Sequence, residues 1–401
     1  MENFFASTFE SIINNDFGRL KMFEVIKFKS PVQFDTILAK YNDELQHIGS
    51  GSYADVYGTK IYILKSIRLM PQVLMNRIQS STISRTTSYL DAFNEFQISW
   101  LLSKLQQKKF TVKNQTYGCQ IFPKVICCYL LNDNNQIVKQ KPPKTFSAIE
   151  SIRFDIFDDF FLKVPRENLI IVMENGGRLL SDVIDQINSL ALISILKQII
   201  VGMMIAEFAL EFEHRDLHSG NILVKDYKHA TIKCQLNKKS ILIPSHGYQV
   251  KLIDTTFSRL KYKDVVYFKD MTSLFENFDG EESGNKEKAK RKMQDFIYEQ
   301  MAQTIKNDWS EFFPKTNVLW IKYVIYKLQK SLSNRIKMNR TDHRISSANE
   351  QNKRTLSNEM AAHRLMEEYN QIIDKCSSSY DFFRNIINRP SLNNLVPIMI
   401  L

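Results

Sequence analysis

The chain has only five cysteines in 401 residues (Cys119, Cys127, Cys128, Cys234 and Cys376), an odd number with no C-x-x-C pair. That argues against a disulfide framework and against a cysteine zinc site, and it implies a reducing, intracellular compartment. A secretory leader is not expected either, because Met1 to Ser11 carries Glu2 and no basic start before an apolar run. Internal repeats are lacking, and low complexity is confined to Ser80–Ser88 and Asn132–Lys144. The nearest approach to a membrane span, Leu190–Phe212, contains Lys197, Gln198, Glu207 and Glu211. Charges at that depth are expensive in lipid, so a buried helix is expected and no membrane partner.

Charge is unbalanced but not concentrated on a nucleic-acid surface. The net charge of +11 comes from 54 Lys plus Arg against 43 Asp plus Glu. Its densest stretches, Lys286–Lys292 and Arg335–Arg354, are not interleaved with the aromatic residues that stack on bases. Solvated loops or linkers are expected there, and no direct sequence-specific nucleic-acid binding. At 44% hydrophobic and 24% charged, a chain of this length can bury more than one core.

Residues 214 to 221 read H-R-D-L-H-S-G-N, and after an apolar strand at Ile222–Val224 the run V-K-L-I ends in Asp254. Phosphoryl transfer from ATP is achieved mostly by positioning a hydroxyl and neutralising phosphate charge with metal ions. Asp216 is the candidate acceptor of the hydroxyl proton; Asn221 and Asp254 are candidate Mg2+ ligands. All are hard oxygen donors, as Mg2+ requires.

A phosphate-cradling loop lies upstream in the right order. Ile48-Gly49-Ser50-Gly51-Ser52-Tyr53-Ala54-Asp55-Val56 is close to G-x-G-x-x-G-x-V, with Ala54 at the third glycine. A Gly58-Thr59-Lys60 turn and an alternating strand, Ile61–Ile67, then place Lys65 where V-A-I-K puts the phosphate-binding lysine. Its expected partner is Glu95, on a helix spanning Leu90–Leu105; Asp91 competes, but its place near the helix start is explained by the helix dipole. The apolar strand Asn168–Met173, ending in Glu174-Asn175-Gly176-Gly177, reads as a hinge. The expected ATP-binding set is Ile48, Gly49, Ser50, Gly51, Val56, Lys65, Met173, Glu174 and Gly176.

Features that catalysis does not demand resemble the haspin kinases. They are the Leu217-His218-Ser219-Gly220-Asn221 continuation, the insert from Leu236 through Gly247 to Gln249-Val250, and Thr255-Thr256-Phe257-Ser258-Arg259-Leu260 in place of Phe-Gly after Asp254. Thr316-Asn317-Val318-Leu319-Trp320-Ile321 stands where no A-P-E motif is found, and Pro31-Val32-Gln33-Phe34 resembles the family's lead-in. The resemblance implies an α+β, bilobal protein-kinase-like fold with a strand-rich N-lobe and a mainly helical C-lobe. It further implies a serine/threonine protein kinase using ATP and Mg2+, in a nuclear or chromosomal, mitotic setting. Haspins phosphorylate a threonine near the start of a histone tail, and their activation segment is folded without phosphorylation. Two departures bear on the substrate: Ser50 stands at an acidic position of the glycine loop, and Met271–Phe275 lacks closely spaced acids, although Glu276, Asp279, Glu281 and Glu282 follow.

The expected organisation is a cap segment at 1–42, an N-lobe at 43–175, a C-lobe at 176–330, and a basic linker with C-terminal helices packed on the C-lobe at 331–401. A pseudokinase scaffold would keep this fold and lose a catalytic group, whereas Lys65, Glu95, Asp216, Asn221 and Asp254 are all present. A small-molecule kinase shares H-x-D-L-H-x-G-N-I-L but leaves the insert and the late signature unexplained. A protein substrate, with a histone tail or chromatin as the candidate, is the expectation.

Overall fold

A computed structural model of the chain describes residues 16–26, 45–51, 54–71, 86–107, 110–132, 167–275, 292–342 and 350–401. In chain order the first elements are α1 (Phe17–Ile26), β1 (Gln46–Ser50), β2 (Ala54–Gly58), β3 (Tyr62–Met70), β4 (Thr87–Ser88) and α2 (Tyr89–Ser103). Then come β5 (Phe110–Val112), β6 (Gln115–Gly118), β7 (Val125–Asn132), β8 (Glu167–Glu174), β9 (Arg178–Leu179), α3 (Leu180–Val183) and α4 (Ser189–Leu210). Four strands follow, β10 (Ile222–Asp226), β11 (Thr231–Leu236), β12 (Lys239–Pro244) and β13 (Tyr248–Leu252), and then the pair β14 (Leu260–Tyr262) and β15 (Val265–Tyr267). The rest is α5 (Thr272–Phe275), α6 (Met293–Ile305), α7 (Lys315–Asp342), α8 (Glu350–Ile373), α9 (Ser379–Asn388), α10 (Pro390–Asn393) and β16 (Met399–Ile400).

The chain divides into two units, Met1–Phe96 with Val125–Asn175, and Gln97–Lys124 with Gly176–Leu401. The first is built on a sheet of order β1-β2-β3-β8-β7, with β4 added to β3. Its small core, Leu64, Tyr129, Leu131, Ile170 and Val172, follows from the alternation that sends every second side chain to one face. α1 is tied to this sheet where Arg19 donates to both carboxylate oxygens of Glu167, at 2.8 and 2.7 Å. Gly18 is required there, since a Cβ would lie 2.4 Å from the Leu90 nitrogen.

The second unit is organised around α4. Asn188 caps its start by accepting from the Ala191 amide, and Glu211 ends it in the left-handed region at φ 45°. By length and composition this helix could cross a membrane, yet 94% of its most apolar window is buried within the protein. Its Lys197 donates to the Val396 and Leu392 carbonyls and to Asn393 Oδ1. The buried cation thus pins the C-terminal segment, which is why a charge is tolerated in an apolar helix.

This mainly helical unit also carries strands. The insert supplies the turn and second strand of the β11–β12 hairpin, whose turn residue Asn237 has φ 54°, and the hairpin sits in a five-stranded sheet of order β16-β12-β11-β6-β5. β10 is central to a second sheet of order β13-β10-β9, and β14 pairs with β15.

The expected linker within Arg335–Arg354 is corrected: α7 runs unbroken to Asp342, and α8 begins at Glu350. Arg335 Nε lies 3.2 Å from Glu359 Oε1, and the Asn339 amide donates to Glu359 Oε2 at 2.9 Å. Lys and Arg are good helix formers, so a basic run need not be a loop. Pairing of Asn339 with Glu359 and of Gln329 with Asn370 lays the two helices antiparallel. The lead-in Pro31–Phe34, the lysine-rich 286–291 and the acids Glu276, Asp279, Glu281 and Glu282 lie outside the described residues.

Candidate active site

In the first unit, the β1–β2 turn is closed by Gly51, whose N–H donates to the Ala54 carbonyl at 2.8 Å. Ile48, Gly49 and Ser50 lie on β1; a Cβ on Gly49 would meet nothing within 4 Å, so the backbone there is open to a close ligand. Ser50 donates to Asp55 Oδ1 at 2.6 Å, and His47 Nε2 is 3.0 Å from the same hydroxyl. The β2–β3 register sets Val56 opposite Lys65. Lys65 Nζ is 2.6 Å from Glu95 Oε1, and the Glu95 side chain is 4% exposed. The competing acid Asp91 instead occupies the first turn of α2, where its N–H donates to the Ser88 hydroxyl at 3.0 Å. Met173 and Glu174 end β8, and Asn175 fastens that end to the β2–β3 turn through Ile61 and Thr59.

In the second unit, Gly176 and Gly177 lead into β9. Gly177 has φ 98°, and a Cβ there would lie 2.2 Å from the Val224 oxygen, so only glycine fits. The loop Glu213–Asn221 carries the acid. Asn221 donates through Nδ2 to the Asp216 carbonyl at 2.9 Å and to Asp216 Oδ2 at 3.1 Å. Tyr298 of α6 donates its hydroxyl to Asp216 Oδ1. His218 accepts the Gly220 N–H on Nδ1 at 3.0 Å, which puts the proton of the neutral ring on Nε2, 3.7 Å from Asp216 Oδ2. Burial lowers the His218 pKa.

Asp254 follows β13 in the left-handed region, at φ 63°, which aspartate tolerates better than most residues. The Ile253 N–H donates to the Asn221 carbonyl at 3.0 Å and so ties the two candidate metal ligands through their backbones. Thr256 holds the carboxylate, donating from Oγ1 to Asp254 Oδ1 at 2.6 Å. Thr255, the other replacement for Phe-Gly, is hydroxyl-bonded to Ser99 at 2.8 Å.

The donor set fits Mg2+. Because the Asn221 nitrogen is spent on Asp216, its Oδ1 is the atom left for a hard cation, and Asp254 adds carboxylate oxygen. Among the described residues no group of three or more His, Cys, Asp or Glu side chains gathers as a metal site. Two protein oxygens are the usual complement for Mg2+, which keeps waters and takes its other ligands from phosphate.

A family model described as "Haspin like kinase domain" matches residues 5–378. The chain belongs to that family. Among relatives of this haspin-like chain, serine/threonine-protein kinase haspin of Mus musculus is 38% identical over 42% of the chain and 21% of its own length. That of Bos taurus is 30% identical over 77% and 37%, and the Arabidopsis thaliana haspin homolog is 27% identical over 71% and 44%. The chain thus spans less than half of these curated relatives. With one strand-rich and one mainly helical unit, the haspin-like chain has the protein-kinase-like fold expected.

The late haspin-like signature holds the catalytic loop. Asn317 accepts the His214 N–H at 3.0 Å and donates to the Phe212 carbonyl at 2.8 Å and to Glu207 Oε1 at 3.0 Å. Thr316 donates to Glu213 Oε2 at 2.8 Å, and Glu213 in turn grips the buried Arg215 guanidinium at both oxygens, each 3.1 Å. Arg215 also donates to the Trp309 carbonyl at 2.9 Å. Sequence reading marked Thr316 and Asn317 as a family signature without a role, and it missed Thr256 and Tyr298. The spacing of Thr256, two residues after an aspartate, is an Asx-turn signal that could have found it; no local signal marks Tyr298.

Proposed function

We propose that this haspin-like chain is an active serine/threonine protein kinase that transfers the ATP γ-phosphate to a protein hydroxyl. The observation that carries the reading is Asp216: a carboxylate fixed from both oxygens, on a loop whose Asn221 spends its amide nitrogen on Asp216 and leaves its oxygen for a cation. Asp216 receives the acceptor hydroxyl's proton. Asn221 and Asp254 would hold the metal, and Thr256 keeps Asp254 in place. Lys65, kept extended by Glu95, would bind phosphate oxygens, while Ile48–Gly51, Val56, Met173, Glu174 and Gly176 would contact the nucleotide. When bound, Mg2+ and ATP supply charge neutralisation and the phosphoryl group. The presence of all five side chains, Lys65, Glu95, Asp216, Asn221 and Asp254, favours catalysis over a scaffold role.

The proposed substrate is a histone-tail threonine in a nuclear, chromosomal setting, an assignment resting on family resemblance. Incubating wild type and Asp216→Asn with ATP, Mg2+ and core histones, followed by phosphosite mapping, tests it. The expected result is threonine label near a histone amino terminus, lost in Asp216→Asn. Label confined to other proteins would overturn the histone assignment; equal label with both proteins would overturn the catalytic one.

A further inference from the structure

Asp216 and Tyr298 are 82 residues apart, yet the phenol is the donor on the carboxylate oxygen that Asn221 does not hold. Several features build that contact. On α6, Ile297, Met301 and Ile305 are fully buried at helical spacing, which seats the helix firmly. The Tyr298 ring meets Trp320 edge-on, with centroids 5.0 Å apart at 78°, and lies 6.0 Å from Phe275. Trp320 is itself buried and packs edge-on with Tyr323, which hydrogen-bonds Ser219 of the catalytic loop. One turn before Tyr298, Gln294 hydrogen-bonds its hydroxyl. Burial and the charge of Asp216 keep the phenol protonated, and so a donor.

We propose that Tyr298 is a positioning residue for Asp216, holding the carboxylate in the orientation that receives the acceptor's proton; this rests on the kinase reading above. With Oδ1 held by Tyr298 and Oδ2 by Asn221, the carboxylate cannot rotate about its terminal torsion, which is otherwise soft. A carboxylate oxygen can accept more than one hydrogen bond, so these contacts do not by themselves exclude the acceptor hydroxyl. The opposite reading, in which the phenol blocks the acceptor's place, predicts the opposite sign on removal.

The test compares full-length wild type, Tyr298→Phe, Gln294→Leu and Asp216→Asn, with ATP, Mg2+ and both core histones and casein as acceptors. Nucleotide affinity and thermal midpoint are measured for each protein. Tyr298→Phe keeps the ring packing and is expected to lower kcat roughly tenfold, with KM for ATP, nucleotide affinity and midpoint unchanged, the pattern of a contact that matters only in the transition state. Gln294→Leu should give a smaller fall of the same kind, and it carries the test if Tyr298→Phe does not fold. A kcat equal to or above wild type in Tyr298→Phe overturns the proposal. So does a fall in kcat that tracks a loss of midpoint or of nucleotide affinity, which marks a structural role. Wild-type activity no higher than that of Asp216→Asn overturns the kinase reading itself and this proposal with it.

Discussion

Replacing Asn317 by alanine should unseat the catalytic loop without touching a catalytic atom. The side chain is fully buried and makes three bonds, to the His214 N–H, the Phe212 carbonyl and Glu207 Oε1. Glu207 keeps the Ser379 N–H and hydroxyl as partners, so its loss is small. The His214 N–H and the Phe212 carbonyl would be orphaned in a site closed to water. Each such group costs about 1–3 kcal/mol, so the expected destabilisation is about 3–5 kcal/mol. For a unit of this size that lowers the melting temperature by roughly 10 °C. Scanning calorimetry reads the stability, and hydrogen exchange at His214–Asn221 shows whether the loop opens first. A midpoint within about 2 °C of wild type, with unchanged exchange, would refute the claim that Asn317 anchors the loop.

Two further outcomes are expected. Thr256→Val removes the hydroxyl that holds Asp254 Oδ1, so the Mg2+ concentration for half-maximal activity should rise about tenfold, as when other outer-shell partners are lost; an unchanged Mg2+ titration would show that Asp254 is oriented without it. Glu207→Gln should alter the pH dependence of stability. Burial raises the Glu207 carboxyl to about 7 from an ordinary 4.5, so between these values the folded state binds more protons and stability falls as pH rises. Burial lowers His214 to about 4 from 6.5, so its contribution grows with pH over that range, and the two slopes oppose each other. Denaturant titrations of Glu207→Gln from pH 4.5 to 6.5 should therefore show stability rising more steeply than wild type, by at most ~1.4 kcal/mol per pH unit; coincident curves would rule this out.

Much of the site was legible because its parts are local in sequence. Asp216 and Asn221 share a loop, and Lys65 lies one strand beyond the glycine turn that β2 and β3 bring beside it. Spacing also distinguishes Glu95 from Asp91, because Asp91 lies in the first turn of α2, where the helix dipole favours an acid, and Glu95 is the one that meets Lys65. The contact of Tyr298 with Asp216 was not legible. It depends on α6 being seated by its apolar face and on two aromatic neighbours from other elements, none of which is encoded near either residue. The basic stretch of α7 misled for a different reason, since charge reports solvation and not backbone conformation. The same Arg335 that suggested a linker makes a 2.6 Å bond to the Ile187 carbonyl and an ion pair with α8.

The late signature and the missing Phe-Gly are two sides of one arrangement. A catalytic loop buried as deeply as His214–Arg215 must have its backbone groups satisfied. Asn317 does this for Phe212 and His214, Ser258 donates to the His214 carbonyl at 3.0 Å, and Arg259 exchanges both backbone bonds with Glu213, at 2.8 and 2.9 Å. Arg215 is sealed by Glu213 and by the Trp309 and Glu311 carbonyls, so its guanidinium needs no phosphate as a partner. The residues just after Asp254 are thereby tied to the catalytic loop, which side chains of α7 hold in turn. Bonds from Ser258 and Arg259 do this without a Phe-Gly pair, which gives the departure from D-F-G a physical cause.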